Sequence, residues 1–128
     1  MFDLFKVQPF MPILLSVERE EDGASRPNRS AEANYETARF LLEEARNRCG
    51  ISNDWMVFDP GIAPIGSDTE GLLKITLGSL KRMHEDDAFS GSHCSVGLSN
   101  FTVMIPAKKA DGSPVKGPLE NAFLTLAM

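Results

Sequence analysis

The sequence predicts an α/β fold in which strands and helices alternate to build a parallel sheet. Three observations lead there. Residues 12–17, 55–58 and 94–98 are short apolar runs with the length and composition of buried strands. Each is followed by a stretch whose apolar residues recur at three- and four-residue spacing, as on one face of a helix. The resulting β-α-β-α-β-α order demands crossover connections, and so parallel strands with right-handed links.

The elements follow in chain order. Met1 to Phe5 reads as the tail of a helix. Pro12-Ile13-Leu14-Leu15-Ser16-Val17 is the first strand, and it runs into Glu18-Arg19-Glu20-Glu21-Asp22-Gly23, a charged loop continuing through Ser25, Pro27 and Asn28. Tyr35, Ala38, Leu41, Leu42, Ala45 and Cys49 then form one helical face, with Gly50 as its left-handed stop. Glu36, Arg39, Glu43, Arg46 and Asn47 fall on the solvated side.

Trp55-Met56-Val57-Phe58 is the second strand, with Trp55 and Phe58 expected in the core. Asp59-Pro60-Gly61 closes it, because the proline cannot continue a central ladder and the glycine permits a sharp turn. Ser67-Asp68-Thr69-Glu70 has the form of a capping box, with Ser67 and Glu70 as its two members. It opens a helix whose apolar face is Leu72, Leu73, Thr76, Leu77, Leu80 and Met83. Cys94-Ser95-Val96-Gly97-Leu98 is the third strand. A loop with Pro106, Asp111-Gly112 and Pro114 leads to a last helix starting near Pro118, with Leu119, Ala122, Phe123, Leu126 and Ala127 on its apolar side. The strand starts recur at about forty residues, long for a minimal βαβ unit and consistent with functional loops.

Composition narrows the function classes. A chain of 128 residues is one domain, able to bury a real core. A net charge of -5 argues against a binder of nucleic-acid backbone, which needs a basic patch. The apolar N-terminal stretch carries Asp3 and Lys6 and is broken by Pro9 and Pro12, so it suits neither a secretory signal nor a membrane span. Two cysteines without CxxC spacing, Cys49 and Cys94, point to a reducing compartment, with the cytoplasm as the expected location. His84, His93 and Cys94 lack a fourth ligand at metal-site spacing, so no metal is expected.

Two strand ends stand out, Phe58-Asp59-Pro60-Gly61 and Ser95-Val96-Gly97-Leu98-Ser99-Asn100-Phe101. Ligands of parallel α/β proteins bind at the carboxyl ends of strands. A carboxylate and a carboxamide placed there suit a flat, hydrogen-bonding heterocycle. Across most of its length the chain resembles the pterin-binding barrel family, which includes corrinoid-dependent methyltetrahydrofolate methyltransferases, the folate domain of cobalamin-dependent methionine synthase, and dihydropteroate synthase. The resemblance is carried by Asp59-Pro60-Gly61-Ile62-Ala63-Pro64, Val96-Gly97-Leu98-Ser99-Asn100 and Leu119-Glu120-Asn121-Ala122-Phe123-Leu124, and by the spacing between them. In the family these are the sixth strand, the seventh strand and the helix after it in a (β/α)8 barrel. Residues 17–24 then correspond to the end of the fifth strand and its acidic loop. Dihydropteroate synthases are expected to carry Arg-Lys after the seventh-strand serine, whereas Ser99 is followed by Asn100-Phe101, as in the methyltransferases. The Asp-Pro-Gly triplet is shared with the synthases, so that branch stays open.

The resemblance implies roles for three residues. Asp59 would accept the amide N–H and exocyclic amine of a pterin; charge-assisted bonds of this type contribute about 1.5–3 kcal/mol each. On the residues alone the favoured reading is a turn aspartate that caps the loop before Gly61. Asn100, a donor and an acceptor at once, would follow N5 of methyltetrahydrofolate as its charge changes during methyl transfer. Ser99 would position the ring, or close a local turn, and Phe101 is a candidate to stack near it. Tetrahydrofolate is the implied substrate, and cobalamin on a partner protein or domain the implied methyl acceptor.

A closed barrel takes roughly 250 residues. The whole chain, 1–128, therefore reads as a single partial domain equivalent to strands five to seven. It is either an enzyme segment completed by the rest of a barrel or a corrinoid-bearing partner, or a non-catalytic module of the same fold. Three strands with raw edges also suggest homo-oligomers.

Overall fold

A computed structural model describes residues 2–128. The order is α1 (Phe2–Phe5), β1 (Ile13–Leu15), β2 (Glu18–Glu21), β3 (Ala24–Pro27), α2 (Ala31–Cys49), β4 (Val57–Asp59), α3 (Leu72–Glu85), β5 (His93–Cys94), α4 (Leu98–Phe101) and α5 (Lys116–Ala127). The fold is mixed α/β. Its main sheet has three parallel strands in the order β1-β4-β5, as the alternation of apolar runs and helical stretches predicts.

The register sets the two faces. Leu14 lies beside Phe58, and Phe58 beside Cys94. Leu14 and Phe58 are buried in one core with Ala38, Leu42 and Ala45 of α2 and Leu80 and Met83 of α3. Alternate residues point to the other face, where Ile13 aligns with Val57 and Leu15 with Asp59. Ile13 is 57% exposed and Leu15 56%, so helices cover the sheet on one side only.

α2 matches its predicted face. Ser30 caps its start by accepting from the Ala33 N–H at 3.1 Å, and Gly50 ends it at φ 64° with its N–H on the last-turn carbonyls. α3 packs across α2 at a close approach. A Cβ on Gly78 would stand 2.8 Å from the Ala31 Cβ, and Ser79 is wholly buried there.

Several local expectations are corrected. The charged loop after β1 is a hairpin, β2 against β3, turned by Asp22 and Gly23 at φ 54° and 76°. Two successive left-handed residues make a type I′ turn, which Asp-Gly favours. The capping box does not form. Ser67 closes a separate 3₁₀ turn and Glu70 pairs with Arg29, while the Asp68 carboxylate accepts from the Leu72 and Leu73 N–H groups at 2.7 and 2.9 Å. Those amide bonds hold its pKa below the usual carboxylate range.

The third strand is shorter than residues 94–98. In the parallel register, the Ser95 N–H donates to the Phe58 C=O at 2.9 Å, and the next bond would come from the N–H of residue 60. Residue 60 is proline and has none, so the ladder stops and Gly97 leads into α4 instead. Trp55 lies in a 3₁₀ turn and is 43% exposed rather than in the core. α5 starts at Lys116, before Pro118, and of its predicted apolar side only Phe123 is buried. Cys49 and Cys94 are free thiols. No helix among the described residues is long and apolar enough to cross a membrane.

Candidate functional site

The carboxyl edge of the β1–β4 pair is assembled by a buried polar network. Ser16 follows β1 directly, and its N–H donates to the Asp59 C=O at 3.0 Å, extending the ladder to the end of β4. Its hydroxyl donates to Asn34 Oδ1, and the Asn34 amide donates in turn to the Pro60 C=O at 2.9 Å. Asn28 Nδ2 reaches the Ser16 C=O at 2.7 Å and Thr37 Oγ1 at 2.9 Å, tying in the hairpin. From α3, the Thr76 hydroxyl donates to the Gly61 C=O at 2.8 Å. Ser16, Asn28, Asn34 and Thr76 are all buried, and among the described residues no buried side-chain N or O atom lacks a partner.

This network fixes the Asp59-Pro60-Gly61 loop. Asp59 Oδ1 accepts from the Gly61 N–H at 2.8 Å, which sets the plane of the carboxylate. Gly61 has φ 72°, and a Cβ there would collide with Val17 Cγ1, so the loop needs glycine. Asp59 is half-buried, on the sheet face that the helices leave bare. Each carboxylate oxygen has two lone pairs, so the turn bond leaves three acceptor positions on Asp59.

Ser99 and Asn100 lie in α4, after the neighbouring strand β5, and both are exposed. They follow the carboxyl end of β5, the strand beside the one that Asp59 ends. The Asn100 N–H bonds to the Gly97 C=O at 2.8 Å, and its amide side chain folds over Gly97, where a Cβ would stand 3.1 Å from Nδ2. No hydrogen bond among the described residues joins Asp59, Ser99 and Asn100. Phe101 is not available to stack on a ligand, since it is buried against Phe123 with ring centroids 5.1 Å apart.

An open cleft of about 290 Å³ adjoins the Asp59 loop, lined by Val17, Asn28, Asn34, Gly61, Ile62 and Thr76 among others. A larger one of about 490 Å³ lies away from it, between the end of α3, the turn before β5 and the end of α5. Sequence reasoning missed Asn34 and Asn28. For Asn34 a signal existed: Asn34, Ala38, Leu42 and Ala45 share the buried stripe of α2. A polar residue on an apolar stripe calls for a buried partner. The chain matches no protein-family model and no curated protein.

Proposed function

We propose that this chain is a segment of a pterin-binding (β/α)8 barrel, equivalent to its strands five to seven. In this reading it contributes to the folate site of a methyltransferase that moves the N5-methyl of methyltetrahydrofolate to a corrinoid. The placement of Asp59 carries the proposal: it ends the middle strand of a parallel sheet, on the face without helices. In a closed barrel that face is the interior, and its carboxyl rim is where substrates sit.

Asp59 suits the amide N–H and exocyclic amine of a pterin because the Gly61 N–H already orients its carboxylate. A preset acceptor pair avoids the entropy of ordering on binding. Asn100, after the adjacent strand, would donate toward N5 as the methyl group departs, and Ser99 would hold the ring beside it. The corrinoid, carried by a partner protein or domain, supplies the methyl acceptor, and no residue of this chain is assigned to hold it. Free Cys49 and Cys94 fit a cytoplasmic setting. The absence of a cation directly after Ser99 favours the methyltransferase branch over a dihydropteroate synthase-like one. The turn bond from Gly61 favours one second reading, a non-catalytic module in which Asp59 serves only the loop.

Calorimetric titration with 5-methyltetrahydrofolate separates these readings. Asp59→Asn keeps an acceptor for the Gly61 N–H and removes the charge. One-site binding that weakens by about tenfold or more in Asp59→Asn supports the pterin site. A folded chain that binds no folate, or binds it equally well after Asp59→Asn, rejects it.

A further inference from the structure

α2 carries four glutamates, and three are neutralised. Glu32 meets Arg82 at 2.6 Å, Glu43 meets Arg39 at 3.0 Å and Glu44 meets Arg48 at 3.4 Å. Glu36 has no ion-pair partner among the described residues. It borders a cleft of about 430 Å³ between α2 and the β2–β3 hairpin, with Leu15, Phe40 and Leu41 in its lining and Glu18 and Glu20 on the hairpin side. Neither Glu18 nor Glu20 has an ion-pair partner among the described residues. Arg19, the cation in the lining, is already engaged by Asn28 Oδ1 at 2.8 Å and Glu21 at 3.2 Å. Three uncompensated carboxylates therefore surround an apolar surface where Phe40 is 61% and Leu15 56% exposed.

We propose that this cleft docks an amphipathic helix of a partner protein, one whose apolar stripe is flanked by lysines or arginines. Complementarity of charge identifies the partner's rim: a basic side chain here meets three carboxylates without ion-pair partners among the described residues, which favours encounter and register. The lining's own cation, Arg19, is held by Glu21 and Asn28. The form of the surface identifies a helix. Ala33, Thr37, Phe40 and Leu41 all line the cleft and recur at i, i+4, i+7 and i+8 along α2. That is the stripe against which a second helix packs, over a length of about 12 Å. A second copy of the chain is the poorer occupant, because at a net charge of -5 it brings the same acidic rim. Neither Asp59 nor Asn100 lines this cleft, so substitutions that test it leave the proposed pterin contacts in place.

The test uses the full chain and a fluorescein-labelled synthetic helix of about five turns, with leucines along one stripe and lysines flanking it. Anisotropy should show saturable binding. Phe40→Ser, and separately the combined Glu18→Gln, Glu20→Gln and Glu36→Gln, should each weaken it by about tenfold. The combined Asp3→Asn, Asp54→Asn and Asp87→Asn removes as much charge elsewhere and should leave binding unchanged, with folding of all variants checked by circular dichroism. No saturable binding overturns the proposal. So does equal weakening by the distant triple variant, which would mean general charge attraction. A dimer of the chain alone that Phe40→Ser abolishes also overturns it, by making a second copy the occupant.

Discussion

Asn34 fastens two strand ends with one amide. It accepts from the Ser16 hydroxyl and donates to the Pro60 carbonyl, all of it buried. Asn34→Ala strands both partners, and a buried polar group left unsatisfied costs about 1–3 kcal/mol. We expect a loss of roughly 3 kcal/mol by urea denaturation, against less than about 0.5 kcal/mol for the exposed Asn47→Ala. A loss as small as that of Asn47→Ala would mean that the network does not hold the Asp59 loop. Asp86 links α2 to the turn after α3 in a comparable way. The Ala88 N–H at 2.9 Å, the Tyr35 hydroxyl at 2.8 Å and the Arg39 guanidinium all donate to its carboxylate and lower its pKa. Because the folded pKa is the lower one, this stabilisation is complete above the unfolded value of about 3.9 and fades as pH falls through the folded value. Thermal melts should therefore separate the wild-type chain from Asp86→Asn at pH 7 and bring the two together in strong acid; a gap independent of pH would refute the linkage. Of the candidate site, Asp59 and the Ser99-Asn100 pair were legible as polar residues at apolar run ends. The supporting amides were not, because Asn28 lies in a stretch that looks like solvated loop, and its burial comes only from the hairpin folding over Ser16.

The elements meet through sterics that sequence patterns encode only in part. Gly78 sits inside α3, where alanine is the better helix former by about 1 kcal/mol. Its neighbour across the interface is Ala31, which a new Cβ would approach to 2.8 Å, tighter than side chains tolerate. Gly78→Ala should therefore destabilise the chain despite its gain in propensity, and Ala31→Gly in the same chain should recover part of the loss. The sign of this coupling in a double-mutant cycle decides the matter: additive effects would mean that α2 and α3 do not close at this point. Helices α2 and α3 and strands β1 and β4 were legible from apolar periodicity and apolar runs, with the stop signal also holding at Gly50 of α2. The start of α3 was misread because Asp68, rather than Ser67 and Glu70, satisfies its first amides. The hairpin was hidden because all eight of its strand residues are exposed, leaving no buried face to produce alternation. Only Asp22-Gly23 marked its turn. β5 was overdrawn for a different reason, since its end is set by the missing N–H of Pro60 on another strand, which no local reading of residues 94–98 contains.

At the scale of the molecule, the consequential property is a parallel sheet clothed on one side. Leu14 and Phe58 face the helices, while Ile13 and Leu15 are more than half exposed on the opposite side of β1. β1 and β5 are also the outer strands of the sheet. The bonds from Val57 N–H to Pro12 C=O and from Ser16 N–H to Asp59 C=O put the even-numbered residues toward β4, so the main-chain groups of Ile13 and Leu15 point to the unpaired edge. An apolar face beside an open edge is the combination that drives strand-to-strand association. The chain should accordingly associate with rising concentration in sedimentation velocity, and Ile13→Lys should suppress this. Because Ile13 supports no core contact, the same substitution should change stability by no more than about 0.5 kcal/mol. A loss of several times that amount would place Ile13 in a covered interior and remove the bare face from the argument. Suppressed association at unchanged stability would instead leave a sheet whose uncovered side is free to become the inside of a larger barrel, which is the condition the pterin reading requires.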